Sequence, residues 1–246
     1  MFSTISLFAA LSALGAAATT PRSAAIIGGV DADIKDFPYQ VSLQYNGKHI
    51  CGASIIGSEY VLTAAHCFAS RVVEDYNLLT IRAGSSITNS GGTVIKVSDV
   101  IHHNDMAIVK LETALQYGPG IGAIKLVDEG GLPAEGTPAV VAGWGIEELD
   151  GDFSGHLSSL DVPVLDRTQC NDNYDSRLTG AMFCAGFFEA GKDSCQGDDG
   201  GPIVDKNRKV QIRMISWGDG CAFPAYPAVY SSVSVLRKFI ADNTGI

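Results

Sequence analysis

Lys192-Asp193-Ser194-Cys195-Gln196-Gly197-Asp198-Asp199-Gly200-Gly201-Pro202 is the stretch on which the reading of this chain turns. Three glycines surround two adjacent carboxylates, and a proline closes the run. That composition marks a tight turn rather than a helix or the middle of a strand. Two further segments carry reactive side chains: Leu62-Thr63-Ala64-Ala65-His66-Cys67 and Asn104-Asp105-Met106-Ala107-Ile108-Val109-Lys110. Each is modest alone. A histidine beside a cysteine is more often structural than catalytic, and an aspartate at a strand start is usually a turn residue. Together they set an imidazole, a carboxylate and a glycine-rich acidic turn in one chain, in that order.

Around these segments, short β-branched and aromatic runs recur between Gly, Asn, Asp or Pro turns. They are Tyr39 to Tyr45 before Asn46-Gly47, Tyr60 to Thr63, Leu79 to Ala83, Val94 to Ile101, Met106 to Leu111, Ala139 to Ala142, Leu157 to Val164 and Val210 to Trp217. Such spacing predicts a sandwich or barrel. Two stretches read as helix: a short turn through Cys170 capped by Asp166, and Val233 to Asp242 with Val235, Leu236, Phe239 and Ile240 on one face. The Gly- and Pro-rich segment from Glu129 to Gly136 is the expected crossing between two halves, about 26–132 and 133–246.

The chain has 246 residues, 46% hydrophobic and 18% charged, with a formal net charge of -10. That is enough apolar material for a packed core and too little charge for disorder. The acidic balance argues against nucleic acid or an anionic membrane as partner. Residues 1–18 read as a signal peptide: Ile5 to Ala18 is apolar and ends in small residues, although no Lys or Arg precedes it. The run is too short to span a bilayer. Residues 19–25 would then be a propeptide. Cys51, Cys67, Cys170, Cys184, Cys195 and Cys221 make an even count suited to export and three disulfides, with 15 pairings open. No C-x-x-C spacing exists, so neither a metal nor any other cofactor is expected.

In the order His66, Asp105, then the Gly197–Gly201 turn, the segments follow the chain order of a chymotrypsin-type triad. From Ile26 onward the chain resembles a trypsin of the chymotrypsin superfamily, most similar to the fungal six-cysteine trypsins. Ile26-Ile27-Gly28-Gly29, the His66 segment, Val141-Ala142-Gly143-Trp144-Gly145, Met182-Phe183-Cys184-Ala185-Gly186 and Ser216-Trp217-Gly218 carry the likeness. The resemblance implies an all-β fold of two antiparallel six-stranded barrels, a short C-terminal helix, and a cleft between the barrels. It implies disulfides Cys51–Cys67, Cys170–Cys184 and Cys195–Cys221. It implies a secreted monomer whose partners are peptide or protein substrates or protease inhibitors.

It also implies roles. His66 is the general base, oriented by Asp105. The amides of Gly197 and Asp199 form the oxyanion hole. Asp193 lies at the base of a pocket for Lys or Arg, with Gln196, Ser216, Trp217, Gly218 and Ala228 as further substrate-binding positions. Asp198 receives the α-ammonium of Ile26 after activation, and His49 holds that carboxylate beforehand.

The match fails at four places. Asp199 stands where the family has its nucleophilic serine, and a carboxylate has no hydroxyl proton for His66 to remove. Its charge lies beside an oxyanion hole, where negative charge must develop. Asp199 and Asp105 together would flank one imidazole and favour its cation, which is no base. His102-His103 runs directly into Asn104-Asp105 where the family has a loop of several residues, so Asp105 is the member most exposed to displacement. Ala228 replaces a pocket glycine, and Ala25 replaces the basic residue expected before Ile26. The sequence therefore predicts an inactive homologue that retains a basic-residue pocket. The alternative is an active secreted endopeptidase in which Asp199 is a variant.

Overall fold

A computed structural model describes residues 26–69, 72–131, 133–146, 152–180 and 182–246. The expected signal peptide and propeptide lie outside the described residues. After the two-residue strand β1 (Val30–Asp31) come β2 (Gln40–Tyr45), β3 (Lys48–Gly57), β4 (Tyr60–Ala64), β5 (Leu79–Ala83), β6 (Thr93–His103) and β7 (Met106–Leu111). These last six close into an antiparallel barrel in the order β2-β3-β4-β7-β6-β5. Asn46 and Gly47 take φ of 49° and 74° and turn β2 into β3. Positive φ at both positions matches the right-handed twist of the strands that they join. In β5 the residues alternate between buried and half-buried, so Leu79, Ile81 and Ala83 face the barrel core.

The second half holds β8 (Lys125–Leu126), β9 (Pro138–Gly143), β10 (Ser158–Pro163), α1 (Arg167–Asn173), β11 (Met182–Cys184), β12 (Pro202–Asp205), β13 (Val210–Trp217), β14 (Val229–Ser232) and α2 (Arg237–Thr244). Six of its strands run β10-β9-β12-β13-β14-β11. A bridge between Val164 and Ala185 joins the two ends of that path and closes a second barrel. β1 adds outside β10, and β8 lies parallel to β13. The Asp166 side chain caps α1 by accepting from the Gln169 amide at 2.7 Å. The final helical stretch splits into a 3-10 turn, Ser234–Leu236, and α2, which ends at Gly245 with φ 75°. The three disulfides join the pairs that the resemblance implied.

The crossing between halves lies earlier than Glu129–Gly136. β8 already pairs with β13, so the chain passes from one barrel to the other between Leu111 and Lys125. The 129–136 segment connects β8 to β9 within the second half. The expected division at 132/133 fails at both ends as well. β1 pairs with β10 of the second barrel, while Val233, Leu236, Phe239 and Ile240 pack into the core of the first.

Candidate active site

His66 sits where β4 leaves the first barrel in a 3-10 turn, Ala65–Phe68. Its backbone is fixed from three sides. Thr63 Oγ1 donates to the Gly52 carbonyl at 2.8 Å, the Ala65 amide donates to the Asp105 carbonyl at 3.0 Å, and Cys67 is tied to Cys51 of β3. Cys51, Cys67 and His66 bring three potential ligand atoms within 4.8 Å of one another. Both sulfurs are bonded to each other, so neither is a thiolate able to hold a metal.

The 195–201 turn of the second half docks against β3. The Gly52 amide donates to the Asp199 carbonyl at 2.9 Å, and the Gly200 amide to the Ile215 carbonyl at 2.9 Å. Gly200 has φ 78°, and a Cβ there would lie 2.1 Å from Thr63 Oγ1 and 2.7 Å from the Gly52 carbonyl oxygen. Only glycine permits that approach. The docking brings Asp199 Oδ2 to 3.7 Å from His66 Nε2, with the side chains 31% and 46% exposed. That is ion-pair range, but longer than a hydrogen bond. Gly197 has φ 93°, and among the described residues neither its amide nor that of Asp199 donates to a protein acceptor.

Asp105 does not reach His66. It occupies the two-residue turn Asn104-Asp105 between β6 and β7, where Asn104 has φ 48° and the Asp105 side chain is exposed. Its Oδ2 accepts from Ser231 Oγ at 3.1 Å, and Ser231 Oγ lies 3.0 Å from Ser216 Oγ. No hydrogen bond or ion pair joins Asp105 to His66 among the described residues. The orienting role implied for Asp105 is therefore not made, and His66 faces one carboxylate rather than two. A two-residue turn leaves no slack to swing the carboxylate inward. The preceding histidines project to opposite sides of β6. His102 meets Phe68 and Tyr76, and His103 meets Phe239, so the two rings do not converge.

A cavity of about 280 Å³ opens beside this pair. His66, Asp193, Gln196, Asp199, Ser216, Trp217, Gly218 and Ala228, all singled out in the sequence, line it. Cys195 and Cys221, expected as a disulfide, also line it, as do Ser194, Ile215 and Gly220, to which the sequence assigned no role. Asp193 is 4% exposed and accepts from the Ser194 amide at 2.9 Å and the Ala222 amide at 3.1 Å. Burial pushes its carboxyl up to about 6, against the pull of the Ala222, Ser194 and Ala228 amides.

Asp198 is fully buried and accepts from the Gly145 and Cys195 amides, each at 2.9 Å. Burial drives it up to about 8 despite those bonds, and the Asp199 charge adds to the rise. Ile26 is buried in the second-barrel core. His49 does not hold the Asp198 carboxylate. Its Nε2 lies 2.9 Å from the Gly197 carbonyl and its Nδ1 2.8 Å from Ser42 Oγ. A carbonyl only accepts, so Nε2 carries the proton and Nδ1 accepts from the serine. Burial pushes the His49 imidazole down to about 4, which keeps this neutral arrangement. Phe153 was also missed: its ring would lie 2.6 Å from a Cβ on Gly197 and stands edge-on to His49.

Two barrels meeting at a cleft that carries His66 and the Gly197–Gly201 turn define a chymotrypsin-type chain. The family model for trypsin matches residues 26–240, and the chain belongs to that family. Trypsin alpha-4 of Lucilia cuprina is 40% identical over 229 residues, covering 88% of this chain and 86% of that protein. The vitellin-degrading protease of Bombyx mori is 38% identical, covering 98% and 95%. Trypsin II-P29 of Gallus gallus is 39% identical, covering 96% and 97%. These insect and vertebrate relatives do not single out the fungal group. No helix among the described residues is long and apolar enough to cross a membrane.

Proposed function

We propose that this chain is a secreted trypsin-family protein that does not hydrolyse peptide bonds and instead holds a basic side chain in its cleft. The observation that carries this reading is the Asp199 carboxylate, 3.7 Å from His66 Nε2. Attack on an amide needs an oxygen whose proton leaves to the imidazole as the bond forms. A carboxylate attack would yield a mixed anhydride, a poor acyl intermediate beside an amide. The fixed charge of Asp199 also opposes the oxyanion that the Gly197 and Asp199 amides would stabilise. The turning of Asp105 toward Ser231 removes a second element of the triad.

Asp193 supports the binding half of the reading. A nearly buried carboxylate with no ion-pair partner among the described residues suits a guanidinium or ammonium. The test uses protein whose chain begins at Ile26, freed of contaminating protease. It should give no turnover of Lys- or Arg-amide substrates above buffer and no labelling by serine-directed phosphonates, yet bind benzamidine. Stoichiometrically explained turnover would overturn the reading.

A further inference from the structure

Asp193 and Asp199 line one cavity. A serine in place of Asp199 would be neutral, so this chain has two carboxylates on a single cavity of about 280 Å³. Neither has a Lys or Arg ion-pair partner among the described residues; the sole cationic candidate is His66, 3.7 Å from Asp199. The rest of the lining adds no cation. Asp193 is bound through both oxygens by backbone amides and is held in place before any ligand arrives. Asp199 is anchored through its backbone, its carbonyl accepting from the Gly52 amide.

We propose that this cavity is a site for a small aliphatic dication, an α,ω-diamine or a polyamine, with one ammonium at Asp193 and the other at Asp199. This rests on the basic pocket proposed above and extends it from one charge to two. A monocation at Asp193 leaves Asp199 facing only His66, whereas a dication of matching length pairs with both carboxylates. Alkyl carbons between the two ammonium groups would lie against Trp217 and Ala228. Asp193, pushed up to about 6 by burial, is ionised at about pH 8, so the preference is read there.

The experiment is calorimetric titration of the Ile26-initiated protein at that pH with n-alkylamines and with α,ω-diamines from three to eight carbons. The diamine of optimal length should bind at least about tenfold more tightly than the monoamine of the same carbon number. In Asp199→Asn that ratio should fall to about one. Asp193→Ser, with its fold checked by circular dichroism, should bind neither series. Equal affinity of the two series in the unsubstituted protein, with binding retained, would overturn the dication site and leave the Asp193 pocket standing. A diamine advantage that survives Asp199→Asn would overturn it equally. Failure of every amine to bind would overturn the pocket itself, and the dication site with it.

Discussion

Replacing Asp199 with serine puts a hydroxyl where the carboxylate now stands, 3.7 Å from His66 Nε2 at its nearer oxygen. The substitution also removes the negative charge beside the Gly197 and Asp199 amides. It leaves Asp105 where it is, on Ser231 at 3.1 Å. Loss of the nucleophile costs about 10⁶ in kcat in a serine protease, whereas loss of the aspartate that orients the histidine costs about 10⁴. Asp199→Ser repairs the first defect and not the second. Turnover should therefore appear, but about 10⁴-fold below a complete triad, equivalent to about 5.4 kcal/mol of barrier. The assay is steady-state hydrolysis of an Arg-amide by the Ile26-initiated variant, with active sites counted by burst titration. Full turnover would refute the reasoning, because it would place Asp105 on His66 in solution. No gain at all would refute it from the other side, by showing that the oxyanion amides or the pocket are also disabled.

Two further outcomes follow from the same residues. A carboxyl raised by folding contributes stability that is fully present below its unfolded value and is lost as pH rises through its folded value. Asp198, raised to about 8, should therefore make the unprocessed protein less stable as pH climbs from 6.5 toward 8. His49 does not confuse that window, since its lowered value of about 4 affects only pH below the ordinary 6.5. Thermal melts across the range check this, and Asp198→Asn should flatten the slope. Ala228→Gly removes from the cavity wall the methyl by which this chain departs from the expected pocket glycine. It should tighten benzamidine by about tenfold, the lower end of what one methyl-sized change in a pocket carries; titration calorimetry reads it, and weaker binding contradicts the assignment.

Where reactive side chains are concentrated in short motifs, the sequence singled out residues that the fold gathers at one cavity. His66, Asp193 and Asp199 are brought to one cavity although the first two lie 127 positions apart. It read poorly where identity depends on side-chain direction. Nothing in the spacing of Asp105 says that its carboxylate turns to Ser231, a partner on a strand that carried no signal of its own. His49 was likewise placed near the right turn but assigned to the wrong acceptor, a carboxylate rather than the neighbouring carbonyl of Gly197. Among the strands, β3 escaped notice because its middle is Cys51-Gly52-Ala53-Ser54, small residues chosen for close approach rather than for β propensity. The crossing was misplaced because β8 pairs over only two residues, too few for any periodicity to register. The glycines and proline at 129–136 mark a loop, but no composition distinguishes a loop within a barrel from one between barrels.

The ends of the chain are exchanged between the halves. β1, the first strand, belongs to the barrel built last, and α2, the last helix, roofs the barrel built first. Ile246 even reaches back to Gly57 at the end of β3. During synthesis the first barrel emerges with its interior partly uncovered and stays so until α2 leaves the ribosome. The second barrel, by contrast, recruits an edge strand that was made at the outset and has been waiting. Neither half is thus a transferable module. A gene cut at the crossing would encode two incomplete pieces, each lacking the part that the other carries.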